Sequence, residues 1–263
     1  MRRIALSLLA GLLIAPLTRA AEPGAGDDVT ACVEHNLPGP DSIRAVRFTS
    51  RDRTGAKTVT VVKMYGRRTE AGYRRLFVRF LEPKDVRGTG LLFLENPGGT
   101  EVYLASTELD SPRKITGSGR ASNLFGTDFS YEDFARLEGI DLRDKIRRQP
   151  DEEIDGRPVY VVESRPTDSS YERIVSFVDQ ESCLPLRMRF YEPGGQLRKE
   201  LTTEPRSNLK HGPVWVAHTA LMRDLRDSTT THLLVDSHEQ DVLLPDGVFS
   251  VKALQDAVRA EVR

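Results

Sequence analysis

Chemistry on this chain would have to start from a short set of side chains. The five histidines are His35, His211, His218, His232 and His238. His232, Asp236 and His238 have the same parity on one strand-like segment, so they could share a face and bind a metal. A solvated polar edge is the favoured reading of that spacing. The chain has no Gly-x-Ser-x-Gly elbow and no His-Glu-x-x-His pair. Gly117-Ser118-Gly119 is too short for a phosphate loop, and no strand–helix unit surrounds it. The 39 acidic residues define no catalytic pair without geometry. Arg143, Lys145, Arg147 and Arg148 cluster and read as a solvated face, with anionic lipid head groups as the functional alternative. The expectation is a protein that is not an enzyme, with no catalytic residue, resident metal or cofactor.

Two cysteines remain, Cys32 and Cys183. An even count in an exported chain favours a disulfide. It would close a loop of about 150 residues, worth about 4–5 kcal/mol by chain entropy. Two buried free thiols are the other reading.

Export is read from the N-terminus. Arg2 and Arg3 precede an apolar stretch at 4–17, and Thr18-Arg19-Ala20 offers small residues for cleavage after Ala20. Residues 1–20 thus read as a signal peptide, 21–28 as a disordered segment and 29–263 as one domain. The apolar stretch is short for a membrane span, and no second run is long enough, so no transmembrane segment is expected in the mature chain. Removing Arg2, Arg3 and Arg19 leaves 35 basic against 39 acidic residues, a net charge of −4. That balance argues against nucleic acid as a partner.

Strands must position whatever site exists. Runs at 43–51, 58–65, 73–81, 90–94, 102–105 and 113–115 read as strands, as do 158–164, 171–179, 186–191, 197–203, 214–222 and 229–235. Leu76, Val78 and Phe80 share one face of their strand; Leu186, Met188 and Phe190 share one face of theirs. The 90–94 run, with Leu92 and Leu94, is apolar on both faces and reads as a central buried strand. Short connections imply antiparallel neighbours. Helices are expected at 29–37 and 130–137, and 249–259 closes the chain as a helix or an irregular tail. About eleven strands in one curved antiparallel sheet, mainly β with short helices, is the expected fold class.

The stretch 120–134 carries the densest local signals. Ser130 has the position of an N-cap and Asp133 that of its capping-box partner. Phe129 and Phe134 have the spacing of a hydrophobic staple. Gly126 permits positive φ just before the cap. Phe125, Phe129, Tyr131 and Phe134 would pack the helix on the sheet or form a lid over a cavity. Capping leaves Phe125-Gly126-Thr127-Asp128 unexplained.

Those residues also carry a resemblance. Phe125-Gly-Thr-Asp-Phe-Ser-Tyr-Glu-Asp133 is its strongest piece; Phe80-Leu-Glu-Pro83, Gly88-Thr-Gly-Leu-Leu92 and Pro245-Asp-Gly-Val-Phe-Ser250 add to it. In order and spacing the chain resembles the LolA-like periplasmic family, described as outer-membrane lipoprotein-sorting-protein-like, and within it an uncharacterised subgroup. The resemblance covers roughly residues 29–255. It implies a half-barrel, an incomplete barrel whose helices plug the concave side. It also implies a periplasmic carrier or chaperone for a lipid or lipoprotein cargo, working beside an inner-membrane exporter. The apolar faces then supply candidate cavity residues: Leu76, Val78, Phe80, Leu92, Leu94, Leu186, Met188 and Phe190. Phe125 to Phe134 become the hinge and anchor of a helix against the sheet. The alternative class is a regulatory or assembly module that binds a protein partner through the same sheet.

Overall fold

The computed structural model describes residues 27–37, 41–140 and 146–260. The proposed signal peptide and most of the 21–28 segment lie outside the described residues, as do Arg143 and Lys145 of the basic cluster. Within them the chain is mainly β, with three α-helices.

Thirteen strands form one antiparallel sheet. The first half is a meander: β1 (Asp41–Arg51), β2 (Lys57–Arg68), β3 (Arg74–Glu82), β4 (Gly90–Asn96), β5 (Gly99–Ala105) and β6 (Arg113–Ile115). The second half runs through β7 (Ile146–Ile154), β8 (Arg157–Ser164), β9 (Arg173–Asp179), β10 (Pro185–Tyr191) and β11 (Leu197–Thr203). A separate hairpin, β12 (Asn208–His211) with β13 (Val214–Ala217), precedes β14 (Thr219–Asp224) and β15 (Thr229–Gln240). Strand β15 returns to pair with β1, giving the order β6-β5-β4-β3-β2-β1-β15-β14-β11-β10-β9-β8-β7.

The strand count exceeds the expected eleven for identifiable reasons. Strand β7 reads Ile-Arg-Arg-Gln-Pro-Asp-Glu-Glu-Ile and has no apolar alternation. It is an edge strand, where charge and proline block unwanted pairing. The single run expected at 214–222 is split at His218 into β14, which stays in the sheet, and β13, which pairs with β12 outside it and adds nothing to the thirteen.

The sheet is open, with β6 and β7 as its two edges. It is also curved. One cavity is lined by Met64 on β2 and Val162 on β8. Those strands are seven steps apart in the sheet, about 34 Å if it were flat. A cavity of about 260 Å³ can touch both only if the sheet curls around it.

The helices divide between the faces. Helix α1 (Asp27–His35) and helix α2 (Tyr131–Leu137) border the cavity on the concave side. Helix α3 (Val251–Ala260) lies on the other face, where Leu254 and Val258 pack with Phe77, Leu92 and Ala105. The expectation that the short helices plug the concave side therefore holds for two and fails for α3. Strand β4 is covered twice: Leu91 and Phe93 join the core around α2, while Leu92 lies beneath α3. The link from β6 to β7 contains α2, so it passes from one sheet edge to the other across the concave face.

Candidate functional site

Helix α1 forms one wall of the cavity. Val29 and Val33, four residues apart on one helix face, pack with Val162 and Val178. Cys32 is bonded to Cys183, with their Cα atoms 5.5 Å apart. Beyond the helix, the Asn36 amide donates to the Trp215 carbonyl (3.2 Å) and accepts from the Trp215 N–H (2.6 Å). It satisfies the free edge of β13 as a neighbouring strand would.

The turn that holds Cys183 is organised by Asp179, which is fully buried. Burial opposes its charge, yet the Arg157 guanidinium and Ser182 outweigh that cost and hold the carboxyl below its usual range. Arg157 donates twice to it at 2.8 Å, and Ser182 donates from both hydroxyl and backbone.

Helix α2 starts as its sequence dictates. The Ser130 hydroxyl accepts from the Asp133 N–H, and the Asp133 carboxylate accepts from the Ser130 N–H. Phe129 and Phe134 both lean on Phe48, with ring centroids 5.6 and 6.4 Å away. Gly126 has φ +77°, a region that penalises side chains. The helix ends at Gly139, where φ is +74° and a Cβ would lie 2.5 Å from Leu37 Cδ2. The segments just past the two concave-side helices therefore touch at a position where the positive φ favours glycine and a larger side chain would have to push Leu37 aside. Glu138, at the end of α2, pairs with Arg44 of β1.

The Thr127-Asp128 segment, left over by capping, binds the sheet. The Asp128 carboxylate accepts from the hydroxyls of Thr229 and Thr231 on β15. Lys199 of β11, 2% exposed, donates to the Asp133 carboxylate (2.8 Å), the Asp128 carbonyl (2.7 Å) and Asn123 (3.2 Å). Tyr171 lies beside this network; burial first, then the Asp133 charge, pushes its phenol up. The loop is an anchor that bolts α2 to the centre of the second half-sheet. Lys199, Thr229 and Thr231 escaped the sequence reading because a lone lysine and two threonines on strands look like solvated positions.

The cavity, about 260 Å³, lies between these helices and the sheet. Its lining is chiefly aliphatic, with Val46, Met64, Ile174, Leu201 and Val235 among the residues from the sheet. Trp215, Val216 and Ala217 of the β12–β13 hairpin close another side. Polar groups also line it: the charged Glu34, Arg44, Arg136 and Glu138, the Asn36 amide, and the hydroxyls of Thr30, Ser164, Ser176 and Thr203.

The eight candidate cavity residues are scattered by the fold. Met188 lines the cavity. Phe190 is buried against Tyr171, with centroids 5.1 Å apart. Leu76, Val78 and Phe80 belong to the core around α2, where Val78 and Phe80 line a second void of only about 10 Å³ and Phe125 meets Phe80 edge-on at 4.6 Å. Leu92 and Leu94 face α3 on the opposite side. Leu186 parts from Met188 and Phe190 because a β-bulge between Pro185 and Arg187 reverses the alternation. Of the loop–helix residues, Phe134 reaches the cavity. Phe129 and Tyr131 are buried in the core.

A second bulge undoes the proposed metal face. Arg44 pairs with His238 and Val46 with Val235, so one extra β15 residue is inserted between them. His238 turns to the concave side, while Asp236 pairs with Arg47 on the outer side. Among the described residues no group of three His, Cys, Asp or Glu is placed to hold a metal ion. No described helix is long and apolar enough to cross a membrane.

Comparisons with known proteins agree with this geometry. A family model described as an uncharacterized protein family matches residues 72–256. A DUF1329 family protein from Desulfovibrio piger is 24% identical over 88% of this chain and 98% of its own, with a TM-score of 0.81. An outer membrane lipoprotein-sorting protein domain from Vibrio parahaemolyticus is 22% identical over 86% and 97%, with a TM-score of 0.78. A LolA superfamily protein from Nitrosomonas europaea is 17% identical over 86% and 98%, with a TM-score of 0.68. At these identities the likeness establishes the fold. A search of curated proteins gave no match. Because the family model spans more than two thirds of the sequence, the chain belongs to that uncharacterised family, with the fold that LolA superfamily and lipoprotein-sorting structures share.

Proposed function

We propose that the protein is a periplasmic carrier or chaperone that takes a lipid, or the lipid moiety of a lipidated protein, into the concave-side cavity for transport across the envelope. The observation that carries this reading is the aliphatic cavity of about 260 Å³ between α1, α2, the β12–β13 hairpin and the sheet. Each acyl methylene buried there contributes about 0.8 kcal/mol, so binding needs no catalysis and few polar contacts. The volume lies just under the ~300–1,000 Å³ of small-molecule sites. A long chain therefore enters fully only when a helix or the hairpin moves. Closure of the empty site then lowers affinity and favours release.

In this reading residues 1–20 are removed on export and 29–263 act as one carrier domain. An inner-membrane exporter is the partner that supplies or receives cargo. The cavity favours a carrier over a module that binds a protein partner through a filled sheet, and we read it as a binding site rather than an active site. Native mass spectrometry of protein purified from the envelope tests the proposal, with bound lipid as the expected result. No co-purifying lipid, together with no uptake of a fluorescent fatty acid, overturns it.

A further inference from the structure

Three histidines meet where the β12–β13 hairpin rests on β1 and β15. His211 ends β12, His218 joins β13 to β14, and His238 lies on β15 opposite Arg44. The His211 and His218 Nε2 atoms are 2.9 Å apart. Their planes differ by 13° and their centroids are 5.2 Å apart. A nitrogen separation of 2.9 Å is below the ~3.5 Å that stacked atoms keep. The rings therefore meet edge to edge through an N–H···N hydrogen bond rather than stacking. An in-line metal would need about twice a 2.0–2.1 Å bond between those nitrogens. The His238 ring is 4.9 Å from His211, and both its nitrogens are buried without a hydrogen-bond partner.

We infer that His211, His218 and His238 form a proton-operated latch, which holds the β12–β13 hairpin against the cavity when neutral and releases it on acidification. An N–H···N pair holds one proton between two nitrogens; two cationic rings would face N–H to N–H. The third ring lies within 5 Å of this pair, at 4.9 Å from His211. The charged groups facing the cluster from neighbouring elements are Arg44 on β1, paired with Glu138 after α2, and behind them Arg74 on β3. Arg44 is a cation, so it adds to the repulsion.

Burial and the His211 charge lower His218. Burial, then Arg44, His211 and His218, pull His238 down to about 3. Groups depressed in the closed form favour it at neutral pH. That preference is lost progressively as pH falls below about 6.5, the value of a freed histidine. For one fully depressed group the open-to-closed ratio rises about tenfold per pH unit.

What would move is small. Among the described residues, and outside its apolar contacts, the hairpin is tied by Asn36 to Trp215 and by the Val235 N–H to the His218 carbonyl, with a Ser207–Thr219 hydroxyl pair at its base. Trp215, Val216 and Ala217 line the cavity, so their departure opens it. The purpose of the latch rests on the carrier reading; its movement does not.

Trp215 is the only tryptophan in the chain, so it reports on the hairpin directly. Acrylamide, an uncharged quencher, is titrated against its emission from about pH 7.5 to 4.5, the span across which free histidine charges, while far-ultraviolet dichroism follows the sheet. The quenching constant is expected to rise at least about twofold in the wild type with the sheet intact. It should stay flat in His211→Gln/His218→Gln, and the rise should be shallower in His238→Gln, which leaves the first pair in place. A flat wild-type response, an equal rise in the double variant, or loss of the sheet together with Trp215 exposure would overturn the latch. Fatty-acid uptake is measured on the same samples across the same pH span, so that both the closed and the opened cavity are probed. A Trp215 transition without uptake upholds the latch and removes the carrier reading.

Discussion

Filling the cavity tests the carrier reading with one substitution. Ala220 on β14 sits in register between Thr203 on β11 and Leu233 on β15, and all three line the cavity. Ala220→Phe directs a six-carbon ring into that space and displaces about six acyl methylenes. At ~0.8 kcal/mol each, the loss is about 5 kcal/mol, or more than three orders of magnitude in affinity. The fold should tolerate the ring, because it enters existing space, and overpacking limits any cost to about 1–3 kcal/mol. Fluorescent fatty-acid binding is measured beside the urea midpoint. Near wild-type folding with binding lost is expected. A folded variant that binds the fatty acid as the wild type does would refute the assignment of the cavity as the cargo site.

Other outcomes follow from the groups around it. Lys199→Met leaves the Asp133 carboxylate buried without its cation, so urea unfolding should show a loss of about 3–5 kcal/mol, largely relieved in Lys199→Met/Asp133→Asn. Cys32→Ala/Cys183→Ala should cost up to about 4–5 kcal/mol, given a closed loop of about 150 residues, read as a lower thermal midpoint. Asn36→Ala strips both partners from the Trp215 backbone and should speed amide exchange at Trp215, at a cost of about 1–3 kcal/mol. The Asp179 carboxyl is held below its usual range, so its stabilisation is full above the ordinary carboxylate value of 3.8 and fades as pH falls below it. Asp179→Asn should be less stable than the wild type at neutral pH, with the gap narrowing in acid.

Local rules were legible where a few neighbouring residues decide the outcome. The Ser130–Asp133 capping box needed only four positions, and the doubly apolar 90–94 run announced a strand covered on both faces. Rules that extrapolate along a strand failed at bulges. One extra residue near Arg187 moved Leu186 to another cluster, and one near Asp236 turned His238 inward, because alternation has period two and a single insertion inverts it. Strand β7 was hidden by its own charges. Of the eight cavity candidates Met188 alone lines the cavity, since its walls come from residues as distant in sequence as Val29 and Val235. The loop at Phe125–Asp128 gave its resemblance readily but not its task, because its partners Lys199, Thr229 and Thr231 sit on strands 70 to 100 residues away.

The pairing of β1 with β15 sets the order in which the chain can fold. Ser42 meets Gln240 and Arg51 meets Thr230, so the ladder at the middle of the sheet joins residues near the two ends of the domain. Loop closure over such a separation is slow. Until β15 exists, β1 remains a bare edge with unsatisfied backbone groups, open to pairing with another chain. Two separately nucleated meanders must therefore wait for the last strand before the sheet becomes continuous. A truncation that removes β15 should cost far more than one strand's contacts: it leaves two half-sheets, each with a new sticky margin.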